Sequence, residues 1–347
     1  MSEKAGPPHP DTFSFTPFFS LFGKSALCPL FRPASKLAAQ VQGIHVGSRR
    51  LAIPCHTAMF RTKSYPRSIL GSAALLVGTA GLISLPAHAD DDSWHVAVRA
   101  EQATPGGWVR VRENAIEGTQ LPIHDGLGVD HMQTLRLDAW KPLSDASELH
   151  FGFSTSRLSG HALIGTPAYY NGTTIAPGRL DTVTRFQDFV AFDASYWHRL
   201  AGFGHGGRLW GSVGATYVML NFRLDGSIAA DSAGHELKED FYVQELPVPT
   251  LGLHLRYPLT DALKLTADVA LGRLPWVNSL RTEGGEVRLA QTHEEEELGL
   301  EYKFAPHWQA VAYVVHRYLG QDERSREDGN VIHLSANGIG LGVGYQF

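Results

Sequence analysis

The chain has 347 residues, with 30 Lys and Arg against 35 Asp and Glu and two cysteines. Its charge is unevenly spread. Nine of the basic and two of the acidic residues precede Asp90, which leaves 21 basic and 33 acidic residues over 90–347, a net charge of −12. That balance argues against nucleic acid as a partner, because such affinity comes largely from Lys and Arg neutralising phosphates. Cys28 and Cys55 both fall in the first quarter, so the rest of the chain has neither a disulfide framework nor a thiolate metal site.

In chain order, residues 1–58 show scattered Phe, Pro and Ser without a period, and read as an over-extended start or a disordered leader. Residues 59–89 have the three parts of a secretory signal peptide. Arg61, Lys63 and Arg67 form a basic segment, Ile69 to Leu85 is apolar and rich in small residues, and Ala87 and Ala89 flank His88 at a cleavage site. A membrane anchor is the alternative, but the small-residue site is clean and the apolar span is short and Gly-rich. No later run approaches the roughly 20 apolar residues that a spanning helix needs.

From Asp90 onward the pattern changes to segments that alternate in polarity with a period of two, the signature of strands. Ten strands are expected, at 94–114, 132–142, 148–160, 183–199, 208–224, 241–258, 262–275, 285–304, 308–320 and 330–347; eight or twelve are the alternatives. Short turns at Leu143–Ser147, Gly202–Gly207, Pro258–Asp261 and Ala305–His307 alternate with longer polar connections at 114–131, 161–181, 225–240, 275–284 and 320–329. In the last segment Ile339, Leu341, Val343, Tyr345 and Phe347 alternate with Gly338, Gly340, Gly342, Gly344 and Gln346, so one face is apolar and the other is nearly bare backbone.

Charged residues recur opposite the aliphatics. An apolar exterior around a polar interior is the pattern of a barrel in lipid, and such a sheet must close, because an open edge in hydrocarbon leaves backbone groups unpaired. The expected fold is all-β, a closed antiparallel transmembrane β-barrel. Residues 94–347 resemble the broad family of bacterial outer-membrane β-barrel proteins, most specifically in the terminal strand Leu341-Gly-Val-Gly-Tyr345-Gln-Phe347. The resemblance implies residence in the bacterial outer membrane, contact with its lipid, and recognition of the Phe347 strand by the barrel-assembly machinery.

The interior set read from the alternation is Arg136, Asp138, His150, Arg185, Asp193, His254, Arg256, Lys264, Asp268, Glu301 and Lys303. It reads as a paired network filling a narrow barrel, or as the lining of a selective pore. Two rim constellations suggest hydrolysis. His333 and Ser335 share a strand face, as a base and a nucleophile would, and with Asn337 they look somewhat like the signature of outer-membrane lipid A deacylases. Asp130 and His131 lie where ten-stranded outer-membrane proteases carry Asp and His, although adjacent strand residues face opposite ways. His293 to Glu297 departs from the zinc motif H-E-x-x-H in its last position. This run reads as a solvated strand end, or as a rim site for a divalent cation. No cofactor is expected. The leading expectation is a barrel without catalytic activity, with a structural, surface-binding or narrow-channel role. A rim hydrolase and a substrate-specific porin are the alternatives.

Overall fold

The computed structural model describes residues 93–347 except 114–115, 231, 233–236, 242–245, 283–285 and 328. The leader, the export signal and both cysteines lie outside the described residues. Strands begin almost where the alternation begins: β1 (His95–Arg110), β2 (Leu121–Pro122), β3 (His131–Ser144), β4 (Ser147–Ile164), β5 (Ala168–Tyr170), β6 (Thr173–Thr184), β7 (Phe189–Phe203), β8 (Gly207–Ile228), β9 (Lys238–Phe241), β10 (Val248–Pro258), β11 (Leu263–Thr282), β12 (Glu286–Ala305), β13 (Trp308–Arg324) and β14 (Val331–Gln346). Ten of them close a ring in the order β1-β3-β4-β7-β8-β10-β11-β12-β13-β14, with β14 returning to β1 and every pairing antiparallel.

Closure satisfies the backbone. β1 pairs β14 from His95↔Gln346 to Arg110↔Val331, and the Phe347 N–H donates to the Trp94 carbonyl at 3.0 Å, so the two chain ends of the barrel are tied together. The first and last strands are thus as continuous as any interior pair, and no edge is left at this seam.

The outer face carries an apolar band. Leu251, Ile339 and Leu341 are about two-thirds exposed, with Val213, Leu253, Leu298 and Leu300 beside them in the same band. At the short-turn end the band is bordered by aromatic rings: Trp308 packs edge-on against Tyr345 at 4.8 Å, Tyr345 against Phe347 at 5.0 Å, and Phe203 lies 6.1 Å from Tyr257. At the long-loop end the border is polar. Gln133 donates to Gln102 at 3.1 Å, Arg157 donates to Gln133 at 2.7 Å, and His316 donates to Asn337 at 2.8 Å.

The structure departs from the alternation at the loop end. The segment expected as one strand over 183–199 is two. β6 ends at Thr184, a 3-10 turn occupies Phe186–Asp188, and β7 starts at Phe189. The Asp188 carboxylate accepts from the Arg185 backbone N–H at 2.9 Å, and the Asp188 N–H returns to the Arg185 carbonyl at 2.9 Å, which closes the turn. The connections expected to be plain polar loops contain β2, β5, β6 and β9. Their apolar residues (Ile123, Leu127, Tyr170, Ile175 and Phe241 among them) pack with Leu220, Phe222 and Leu334 from the upper inner wall into one hydrophobic cluster. This apolar cap sits over the polar interior.

Candidate functional site

The inner faces of the strands supply the site, and two layers can be distinguished. The middle layer is ionic. Arg99 of β1, Arg136 of β3 and Arg317 of β13 face Glu101, Asp138, Asp193, Glu295 and Glu297. Arg99 reaches Glu297 at 2.8 Å and Asp138 at 3.0 Å. Arg136 reaches Asp138 at 2.6 Å, Glu295 at 2.9 Å and Asp193 at 3.8 Å. Arg317 reaches Glu295 at 3.0 Å and pairs with Glu101, which also accepts from the Tyr313 hydroxyl at 2.7 Å. Buried charges persist only when paired in this way.

The geometry of β14 makes the layer possible. A Cβ at Gly342 would lie 2.9 Å from the Arg99 side chain, and one at Gly340 would collide with the Tyr313 ring. The bare face of β14 is therefore the floor over which Arg99 and Tyr313 lie, with the Arg99 guanidinium 5.2 Å from the Tyr313 ring centre.

The second layer lies nearer the short turns and is a run of rings along the wall. His95 stacks on Trp140 at 4.9 Å, Trp140 lies parallel to His150 at 6.1 Å, His150 stacks on Trp197 at 3.8 Å, and Trp197 stacks on His254 at 3.4 Å. Polar partners fix two of the imidazoles, those of His150 and His254. His150 contacts Glu148 at 2.8 Å, and Glu148 also faces Arg256 at 3.3 Å. His254 Nδ1 lies 2.8 Å from Asp268 Oδ1, and His254 Nε2 lies 2.9 Å from Ser212 Oγ. Each good aromatic contact adds about 0.5–1.5 kcal/mol beyond its buried area. A cavity of about 250 Å3 runs past both layers, touching Arg136, Glu295, Ser212, His254, Asp268 and Glu301.

Arg136, Asp138, His150, Asp193, His254, Arg256, Asp268 and Glu301 all line this cavity. Lys264 is the cross-strand neighbour of Glu301, and Lys303 is exposed near the Ala305 turn. Arg185 is not an interior residue: it is exposed at the 3-10 turn described above. Trp197 lines the same cavity and stacks on His254.

Along β12 His293, Glu295 and Glu297 turn toward the interior and Glu294 borders the same cavity, while Glu296 stands opposite the exposed Val269 on the outer face, so the acidic run does not present four carboxylates to one ion. Among the described residues no three His, Cys, Asp or Glu side chains are gathered as metal ligands. The polar connection expected over 320–329 is partly strand: β13 runs to Arg324, Gln321 and Glu323 are buried, and Gln291 donates to Gln321 at 3.0 Å.

The rim constellations are not assembled. His333 lies on the opposite side of β14 from the inward Leu334 and Ala336, stacks on Trp108 at 4.7 Å and bonds to the Tyr318 hydroxyl rather than to Ser335. Asp130 and His131 are exposed, and the nearest imidazole to Asp130 is that of His124, at 3.7 Å. Arg99, Glu295, Glu297, Arg317 and Ser212 also line the interior, with Glu101 and Tyr313 bonded to each other beside them.

No protein-family profile and no curated protein sequence matches the chain. Among solved structures it is similar to the outer membrane protease OmpT from Escherichia coli (12% identity, 73% of this chain and 97% of that one, TM-score 0.44). It is also similar to the translocator domain of the autotransporter NalP from Neisseria meningitidis (17%, 80% and 95%, 0.30). A third is the toluene transporter TodX of Pseudomonas putida (12%, 78% and 93%, 0.29). All three are bacterial outer-membrane β-barrel proteins, the broad family that the sequence resembles.

Proposed function

We propose that the chain is a bacterial outer-membrane barrel that seals its own lumen and conducts no solute. Its short turns face the periplasm and its long loops the exterior. The apolar band, in which Leu251, Ile339 and Leu341 are each about two-thirds exposed, supports the membrane assignment, because contiguous exposed apolar patches mark membrane or partner surfaces, and the aromatic and polar borders fit its two interfaces. The Phe347 strand is the segment that the assembly machinery reads. One observation carries the closed lumen: Arg136 of β3 pairs with Glu295 of β12, tying opposite parts of the wall together beneath the apolar cap. Barrels of about this strand number have interiors that side chains can fill.

The test is conductance. Purified, refolded protein reconstituted into planar bilayers at high protein-to-lipid ratio is expected to leave the membrane silent in molar salt. Reproducible unitary steps would replace this reading with the porin.

A further inference from the structure

We propose that Ser212, His254 and Asp268 form a hydrolytic site inside the barrel, with Ser212 as nucleophile and small carboxylic esters as substrates. This goes beyond the closed-barrel reading, and conductance does not test it.

The three residues come from neighbouring strands: Ser212 from β8, His254 from β10 and Asp268 from β11. Register puts them together. Gly252 pairs with Ser212, and His254 pairs with Asp268. The two contacts use different nitrogens of one imidazole, Nδ1 to the carboxylate at 2.8 Å and Nε2 to the hydroxyl at 2.9 Å. An ionised carboxylate only accepts, so Nδ1 carries the proton and donates to Asp268, which leaves Nε2 to accept from the Ser212 hydroxyl. Both distances are within the range for a nucleophile, its base and the group that orients the base.

Four further observations separate this trio from a chance polar contact. The Trp197 ring, 3.4 Å from the imidazole, holds its plane. A Cβ at Gly252 would stand 2.5 Å from Ser212 Oγ and 2.7 Å from His254 Nε2, so glycine keeps the space over their hydrogen bond clear. All three side chains also line the cavity of about 250 Å3, which gives a reacting carbonyl a place to sit. Trp210, the cross-strand partner of His254, is buried and its indole N–H has no acceptor among the described residues, so an unengaged donor lies on the same inner face.

The chemistry balances with water as co-reactant. Ser212 Oγ bonds to the ester carbonyl carbon as its proton passes to Nε2. The C–O bond to the alcohol breaks, and the alcohol leaves with that proton. Water then attacks the acyl-serine, gives one proton to Nε2, and the carboxylic acid departs as Ser212 Oγ recovers the proton. Asp268 acts through His254 and is a positioning residue. The trio lies near the short turns, away from the apolar cap, so substrate enters from that end.

The test uses the refolded full barrel, its fold checked by heat-modifiable gel migration. Diisopropyl fluorophosphate should add once, on the peptide that contains Ser212, and p-nitrophenyl acetate should be hydrolysed. Ser212→Ala should abolish the adduct and lower hydrolysis at least about 100-fold, the scale of losing a nucleophile from such a trio. Asp268→Asn should lower kcat with little change in KM and alter the pH–rate profile, which loss of structure alone would not do. Gly252→Ala should lose turnover with the hydroxyl still present. Glu296→Gln, on the outer face opposite Val269, should match the parent. No adduct on the folded parent, or equal hydrolysis by the parent and Ser212→Ala, would overturn the proposal.

Discussion

Arg136 Nη1 lies 2.9 Å from Glu295 Oε1, although β1, β14 and β13 stand between their strands around the ring. The pair crosses above the glycines of β14 and joins two parts of the wall that no backbone ladder connects. Arg136→Ala would leave Asp138, Asp193 and Glu295 without a shared partner. Removing one member of a buried pair costs about 3–5 kcal/mol, whereas replacing both by apolar groups is often neutral. Urea unfolding of the barrel in vesicles should therefore show a large loss for Arg136→Ala and a smaller one for Arg136→Met with Glu295→Met. Equal losses would mean that the contact carries no coupling.

A second prediction concerns Gly340. Its missing side chain is the space that the Tyr313 ring occupies, and Tyr313 in turn donates to Glu101. Gly340→Val should destabilise the barrel by about 1–3 kcal/mol, the usual cost of overpacking. Adding Tyr313→Ala should recover part of the loss. A double variant no more stable than the sum of the two single changes would refute the contact.

The cap gives a pH prediction. The Tyr170 hydroxyl donates to the Phe222 carbonyl at 3.1 Å, and burial, reinforced by Glu239 and Asp240, pushes its phenol well above the usual range. A phenol raised in the folded state contributes stability below its unfolded value, about 10, and loses it as pH rises further toward the folded value. Cap proteolysis should therefore increase from pH 8 to pH 11 in the parent. Tyr170→Phe should be weaker at pH 8 by about 1 kcal/mol and should change less between the two. Parallel pH responses would sink the assignment.

At the chain end, deleting Phe347 removes both its ring contact with Tyr345 and its backbone bond to Trp94. Folding into vesicles should slow, and the yield of assembled barrel in cells should fall further than it does in vesicles. An equal fall in both systems would leave recognition by the assembly machinery without support.

Much of this was legible in the sequence. The period of two locates the ten wall strands, because each has one apolar and one polar face to keep apart. It also locates Arg136, Asp138, His254 and Asp268 on the inner side. The same alternation, carried through β1 and β12, would have added Arg99, Glu101, Glu295 and Glu297, but four consecutive glutamates look like a solvated end. Ser212 gave no signal of its own, because its role depends on the register between β8 and β10, which no single strand encodes. The apolar cap was hidden for a different reason. Its residues are scattered through segments rich in Gly, Pro and polar side chains, and they converge only once the hairpin of β5 and β6 folds back.

The bare inner face of β14 also bears on how the ring shuts. The strand that meets β1 presents Gly338, Gly340, Gly342 and Gly344 to the interior, so the filling of the lumen near the seam hangs from β1 and β13 alone. A flat final strand can slide into register with no bulky group to be threaded past Arg99 or Tyr313. The pairs of Arg99 with Glu297 and Arg136 with Glu295 bridge that seam, so they come together only as it closes, over a strand that puts no side chain in their way.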